Sequence, residues 1–174
     1  MIFTGVAGGL DPEALPGDIV IGKALVQVDF GLQDSEGFTP WPFRKISGVP
    51  HEELLIPADS ALFQLSLQAA ELADFQSIAT QKPQIFQGVI STSDLFVSDP
   101  VKAKWLYTEF NSLATEMEGA AVAHICRTLN IPFVVIRSCS DNANTDAHID
   151  FQEFVGPASS NSAKLVLAML DLME

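Results

Sequence analysis

Residues 116–143 read EMEGAAVAHICRTLNIPFVVIRSCSDNA and carry a helix and a strand in immediate succession. The alanine-rich part from about Glu118 to Leu129 predicts a helix. Only the two-residue turn Asn130-Ile131 separates it from Pro132-Phe133-Val134-Val135-Ile136-Arg137, an apolar, β-branched run that predicts a strand. A helix that feeds a strand through so short a turn belongs to an α/β layered domain.

The pattern extends in both directions. Upstream, Gln84 to Ile90 predicts a strand, a polar loop runs from Ser91 to Ser98, and Asp99-Pro100 opens a helix through Phe110 with proline at its first position. Asp59 caps a predicted helix through about Leu72, whose Leu62, Leu65, Ala69 and Leu72 mark one inward face. The run Ile19 to Val26 is almost entirely apolar and predicts a strand covered on both faces. Ile2-Phe3-Thr4 reads as the end of a strand entering a glycine-rich turn, Gly5-Val6-Ala7-Gly8-Gly9. From Asp34 to Pro57, repeated glycine and proline predict a long excursion with little regular structure. A last helix covers about Ser160 to Leu172. The expectation is one α/β domain over residues 1–174 without internal repeats.

Composition narrows the function. The 174 residues are 48% hydrophobic and carry a formal charge of -13 from 22 acidic and 9 basic side chains. A phosphate backbone is repelled by such a chain, so nucleic acid is not expected as a partner. No apolar run approaches about 18 residues, and a membrane partner is not expected either. Met1-Ile2-Phe3-Thr4-Gly5 lacks the basic start of a signal peptide. Cys126 and Cys139 lie outside any CxxC spacing and read as buried free thiols, which suits a reducing cytoplasm. His51, His124 and His148 are dispersed, and neither a metal nor another cofactor is expected.

Three stretches carry candidate chemistry. The glycines of Thr4-Gly5-Val6-Ala7-Gly8-Gly9 allow close approach of backbone to a ligand, although the stretch is neither GxGxxG nor GxxxxGK[ST]. Glu116-Met117-Glu118 places two carboxylates before a helix, where acids also serve simply to balance the helix dipole. A carboxylate there can equally accept paired hydrogen bonds from a ribose diol. Finally, Arg137-Ser138-Cys139-Ser140-Asp141 follows an apolar strand, at the carboxyl end where α/β sheets hold ligands.

TGVAGGLDPEALPGDIVIG, EMEGAAVAHICRTLNIPFVVIRSCSDNA and Asp150-Phe151-Gln152-Glu153-Phe154 follow one another in the order and spacing of a known family. The chain resembles the 5′-methylthioadenosine/S-adenosylhomocysteine nucleosidases of the purine nucleoside phosphorylase/nucleosidase superfamily. That resemblance implies a phosphorylase/hydrolase-like three-layer sandwich, with a central mixed β-sheet flanked by helices. It also implies hydrolysis of an N-glycosidic bond, with adenine as the product and a homodimer as the assembly.

By the same resemblance Asp141 matches the general acid that protonates the purine, and Arg137 helps to position the attacking water. Glu118 matches the carboxylate on the ribose hydroxyls, and Met117 the neighbour that packs on the sugar. Phe96 matches the ring stacked on the purine, Val97 the backbone that reads the adenine edge, and Phe151 the aromatic that closes over the base. Ser140 would orient Asp141, and Glu116 is read as structural. Related phosphorylases hold phosphate with an arginine and a serine where this chain has Phe3 and Val6, which favours water as the nucleophile. The family's first strands, with the glutamate that activates water, have no counterpart before Met1, so the domain is expected to be incomplete at its N-terminus. A purine nucleoside phosphorylase and a non-catalytic nucleoside-binding or storage-type relative are the alternatives.

Overall fold

The computed structural model describes residues 1–78, 81–144 and 146–173. In chain order its elements are β1 (Ile2–Gly9), β2 (Ile19–Gln27), β3 (Gly31–Asp34), β4 (Gly37–Pro40), β5 (Ile56–Pro57), α1 (Ser60–Leu72), β6 (Ile85–Thr92), α2 (Pro100–Phe110), β7 (Ser112–Glu116), α3 (Gly119–Leu129), β8 (Val134–Asp141) and α4 (Ala147–Asp171). The fold is the expected α/β architecture, a mixed sheet with helices packed around it.

The sheet closes on itself. β2 pairs with β6, β6 with β7, β7 with β1, β1 with β8, and β8 returns to β2, while β5 adds to β2 from outside. Period-two alternation sends Ile19, Ile21, Val134 and Ile136 towards α1 and α4, where Phe63, Ala69, Leu165 and Met169 cover them. Val20, Val135 and Cys139 face the other way, towards Ala120, Ala123 and Cys126 of α3. A third cluster gathers Leu106 and Phe110 of α2 with Val26, Val28 and Val97.

β2 makes closure possible by changing partner along its length. Ile19–Ile21 pair with β8, whereas Ala24 and Leu25 pair with β5. Between them the register against β6 slips at Gly22–Ala24, a bulge that leaves the exposed Lys23 unpaired. The slip moves an odd-numbered side chain, Leu25, into the α3 cluster although Ile21 sits with α1 and α4.

Several sequence expectations need correction. The glycine stretch is not a turn: β1 continues through Gly9, because Gly8 and Gly9 pair with Thr115 and Ala114 of β7. β7 itself was not foreseen. Its buried side chains include Ser112, Thr115 and Glu116, so it lacks the apolar alternation that marks a strand. α4 begins well before Ser160, since Gly156-Pro157 reads as a helix break but lies inside the helix. Leu72 is exposed, whereas Ala69 is buried and Leu62 and Leu65 pack half-buried against the core, with Phe63 and Ser66 completing the inward face of α1. The excursion from Asp34 opens with β4, which forms a hairpin with the preceding β3, and then lies on α3, with Phe43 stacked on His124 at 4.3 Å. That packing also brings together His51 and His124, which are remote in sequence.

Gly22 lies at a tight point of the sheet: a Cβ there would stand 3.0 Å from the Val135 carbonyl and 3.0 Å from Ile90 Cδ1. Gly22→Val is therefore expected to lower stability by about 1–3 kcal/mol, the usual cost of overpacking. Urea unfolding checks this, and an unchanged midpoint would refute it.

Candidate active site

Gly8 of β1 pairs on one side with Thr115 of β7 and on the other with Asp141 of β8. These three neighbours form the floor of a cavity of about 230 Å³. Val6 and Ala7 continue the floor along β1, and Glu116, Met117 and Glu118 wall one side as the chain passes from β7 into α3. Leu95, Phe96 and Val97, in the loop after β6, face Phe151 of α4 across the mouth.

Asp141 is 2% exposed and has fixed partners for both oxygens. Oδ1 accepts the Ala143 N–H at 2.8 Å, and Oδ2 lies 2.8 Å from the Ser140 hydroxyl. Burial raises its pKa above that of an ordinary aspartate, the two hydrogen bonds oppose the shift, and Asp150 adds a further upward push. Burial dominates, so the carboxyl keeps its proton to higher pH than an exposed one. Such a group can deliver a proton to a basic nitrogen in a partly dry cavity.

The two glutamates differ in kind. Glu116 is buried and fully engaged: it accepts from Arg137 Nε at 3.1 Å, from Arg137 Nη2, from the Thr92 hydroxyl, and from the Gly119 N–H at 2.7 Å. Its carboxylate thereby caps the start of α3, a task that Glu118 at the N-cap position does not perform. The Glu118 side chain is 65% exposed and stands 3.9 Å from Arg137 Nη2. Its oxygens are available to a ligand's hydroxyls.

At the mouth the rings of Phe96 and Phe151 meet edge to face, with centroids 5.7 Å apart. Phe96 is about half exposed, and Met117 forms part of the rim.

Of the residues singled out from the sequence, Val6, Phe96, Val97, Met117, Glu118, Ser140, Asp141 and Phe151 all line this cavity. Arg137 does not. It lies behind the wall, 1% exposed, with the Phe3 ring 4.5 Å from its guanidinium carbon. Sequence reasoning offered Gly8 only as part of a glycine stretch, missed Ala7, Leu95 and Thr115, and gave Glu116 no part in the cavity wall. The glycine was visible, but its neighbours depended on the unforeseen strand β7.

The phosphorylase superfamily matches residues 1–171. A 5′-methylthioadenosine/S-adenosylhomocysteine nucleosidase of Mycobacterium tuberculosis is 39% identical over 99% of this chain and 71% of its own length. The chain belongs to this nucleosidase family. Among solved structures, a nucleosidase of the same name from Helicobacter pylori, in complex with a pyrrolidinol compound, superposes with a TM-score of 0.79 at 33% identity. That match covers 98% of this chain and 67% of the other. A futalosine hydrolase of H. pylori gives 0.80 at 31% identity, covering 98% of this chain and 66% of its own. This chain thus spans about two thirds of the length of these structures.

The raised pKa has a consequence for stability. The folded protein binds a proton at Asp141 more tightly than the unfolded chain does, so stability is lost as pH rises through the folded pKa. Asp141→Asn keeps the shape and removes the ionisation. It is expected to melt above the parent at about pH 8, with the gap closing below about pH 4, near the unfolded aspartate pKa. Thermal melts across pH test this, and equal melting temperatures throughout would refute it.

Proposed function

We propose that this chain hydrolyses the N-glycosidic bond of 5′-methylthioadenosine and S-adenosylhomocysteine, releasing adenine and a thio-substituted ribose. The observation that carries the reading is the buried, proton-retaining Asp141 in one cavity with the open carboxylate of Glu118. Asp141 protonates the purine as the glycosidic bond lengthens, so that the base leaves neutral. Glu118 accepts hydrogen bonds from the ribose hydroxyls, and Met117 packs on the sugar. Phe96 stacks on the base and Phe151 closes over it, while the backbone at Val97 reads its edge. Arg137 acts through its bond to Glu116 and its approach to Glu118, positioning the wall against which the sugar rests.

Support for water over phosphate comes from charge. Carboxylates line the cavity, and the nearby Arg137 is bonded to Glu116 and covered by Phe3. Val6 supplies no hydroxyl. A phosphate dianion would enter a site without a free cation among the described residues, whereas a neutral water would not meet that penalty.

The test is adenine release by the purified chain from each nucleoside. Asp141→Asn is expected to slow it by about 10²–10⁴-fold, the range for losing a general acid, while binding of the nucleoside is kept. A parent that frees no adenine, or a variant as fast as the parent, ends this reading.

A homodimer and a cytoplasmic setting complete the proposal. Both cysteines are free and buried, which suits a reducing compartment. Ile125 and Leu129, one turn apart on α3, are each more than half exposed, and Met117 at the cavity rim precedes the same helix. A self-complementary contact through this face covers them. Light scattering is expected to give twice the chain mass for the parent and a monomer for Ile125→Glu. A monomeric parent at tens of micromolar, roughly the range where a weak interface still assembles, would refute the dimer.

A further inference from the structure

Residues 43–51 form a short hairpin that lies on α3. Arg44 bridges to Pro50, the His51 N–H donates to the Phe43 carbonyl at 2.8 Å, and the turn closes with Lys45 N–H on the Val49 carbonyl and Gly48 N–H on the Lys45 carbonyl. Residues 44–50 are all exposed, so the tip has no packing of its own to hold it in place. The base does that work. Phe43 and His51 stand opposite each other there, and both rings meet His124 of α3. Phe43 stacks on the imidazole with centroids 4.3 Å apart, and His51 meets it edge to face at 6.3 Å.

This contact suits neutral imidazoles only. His51 Nε2 and His124 Nδ1 are buried and have no hydrogen-bond partner among the described residues. A neutral imidazole leaves one nitrogen without a proton, whereas the charged form carries an N–H on both. Either imidazolium would therefore bury a charged donor with nothing to receive it. The surrounding charges add to the penalty. Arg127, three residues further along α3, acts on both rings, and Lys45 of the hairpin acts on His51. Glu53 spends its charge on Arg127, 3.7 Å away. Burial first, and these cations second, hold both imidazoles below the usual histidine pKa. The folded chain thus binds protons at these rings less tightly than the unfolded chain does. Stabilisation from the contact is complete above about 6.5, the ordinary histidine value, and is lost as pH falls through the lower folded values.

The hairpin also reaches the cavity. Phe43 stacks on Phe30 with centroids 5.5 Å apart, and the neighbouring Asp29 accepts the Asp94 N–H at 2.6 Å, beside residues 95–97 at the mouth.

We propose that Phe43, His51 and His124 form a pH-sensitive clasp. With both imidazoles neutral it holds residues 43–51 on α3, and protonation of either releases the hairpin and, through Phe30 and Asp29, loosens the loop at the cavity mouth.

Hydrogen exchange at pH 7.5 and 5.5, corrected for its intrinsic pH dependence, tests the clasp; both values lie well above the ordinary aspartate pKa of about 3.9. At the lower pH the amides of Lys45, His51 and Asp94 are expected to lose at least about tenfold in protection in the parent, while those of Ile21 and Val135 in the sheet keep theirs. A double variant, His51→Phe with His124→Phe, keeps the rings and removes the titration. It is expected to show equal protection at both pH values. A parent whose hairpin amides do not change, or a double variant that loses protection as the parent does, overturns the proposal. An Asp94 amide that stays protected while the hairpin is released overturns the link to the mouth. If the double variant fails to dock its hairpin at either pH, the imidazole proton NMR signals of the parent decide. Midpoints below about 6.5 that coincide with the change at Lys45 and His51 sustain the clasp, and midpoints at or above that value overturn it. None of these readouts needs a nucleoside, so they stand apart from the reading of the cavity.

Discussion

The buried ion pair between Arg137 and Glu116 is the contact on which the rest of the site depends. Arg137 belongs to β8 and Glu116 to β7, and β1 lies between those strands in the sheet. Through the same carboxylate, Thr92 at the end of β6 and the first N–H groups of α3 are tied in. Two charges removed from water are costly unless every lone pair and proton is used, and here nearly all are. Phe3 covers the face of the guanidinium, so β1 is also held to this centre. Removing either charge would leave the other stranded in the interior, a penalty of several kcal/mol.

That arrangement divides labour between neighbouring acids. Glu116 consumes the cation and caps the helix, which leaves Glu118 two residues later with its carboxylate in the open. A chain with only one of them would have either a stable wall or a ligand-facing carboxylate. The residue between them, Met117, is on the rim because β7 ends at Glu116 and α3 begins at Gly119, so the connecting residues must cross the cavity edge.

Much of this was legible in the sequence, and the failures share a cause. β2, β6 and β8, together with α1 and α2, announce themselves by apolar runs and by capping residues at Asp59 and Asp99. The cavity residues were found because they lie in contiguous stretches beside those elements. β7 was not legible, since it buries Ser112, Thr115 and Glu116 where a strand's apolar alternation would be expected, and Glu116 is partnered there by Thr92 and the start of α3. The depth of Arg137 was hidden for the same reason: its partner sits on that unseen strand. The extent of α4 was obscured by Gly156-Pro157, whose local preference is overruled by packing of Ala158, Leu165 and Met169 in the interior.

Asp141 was the residue most evident from sequence, yet its chemistry depends on features that sequence does not display. A strand-end aspartate is ordinarily a turn residue in water, with no reason to hold a proton. What alters it is the bulge at Ser140, which turns the side chain towards the floor, and the bare backbone of Gly8, which lets it lie flat there. Burial then raises the pKa while two hydrogen bonds restrain the rise. Filling the cavity with an apolar-faced base would expel the remaining water and strengthen the first effect without touching the second. Ligand entry and proton retention at Asp141 therefore favour one another, as linkage between two binding events at one site requires.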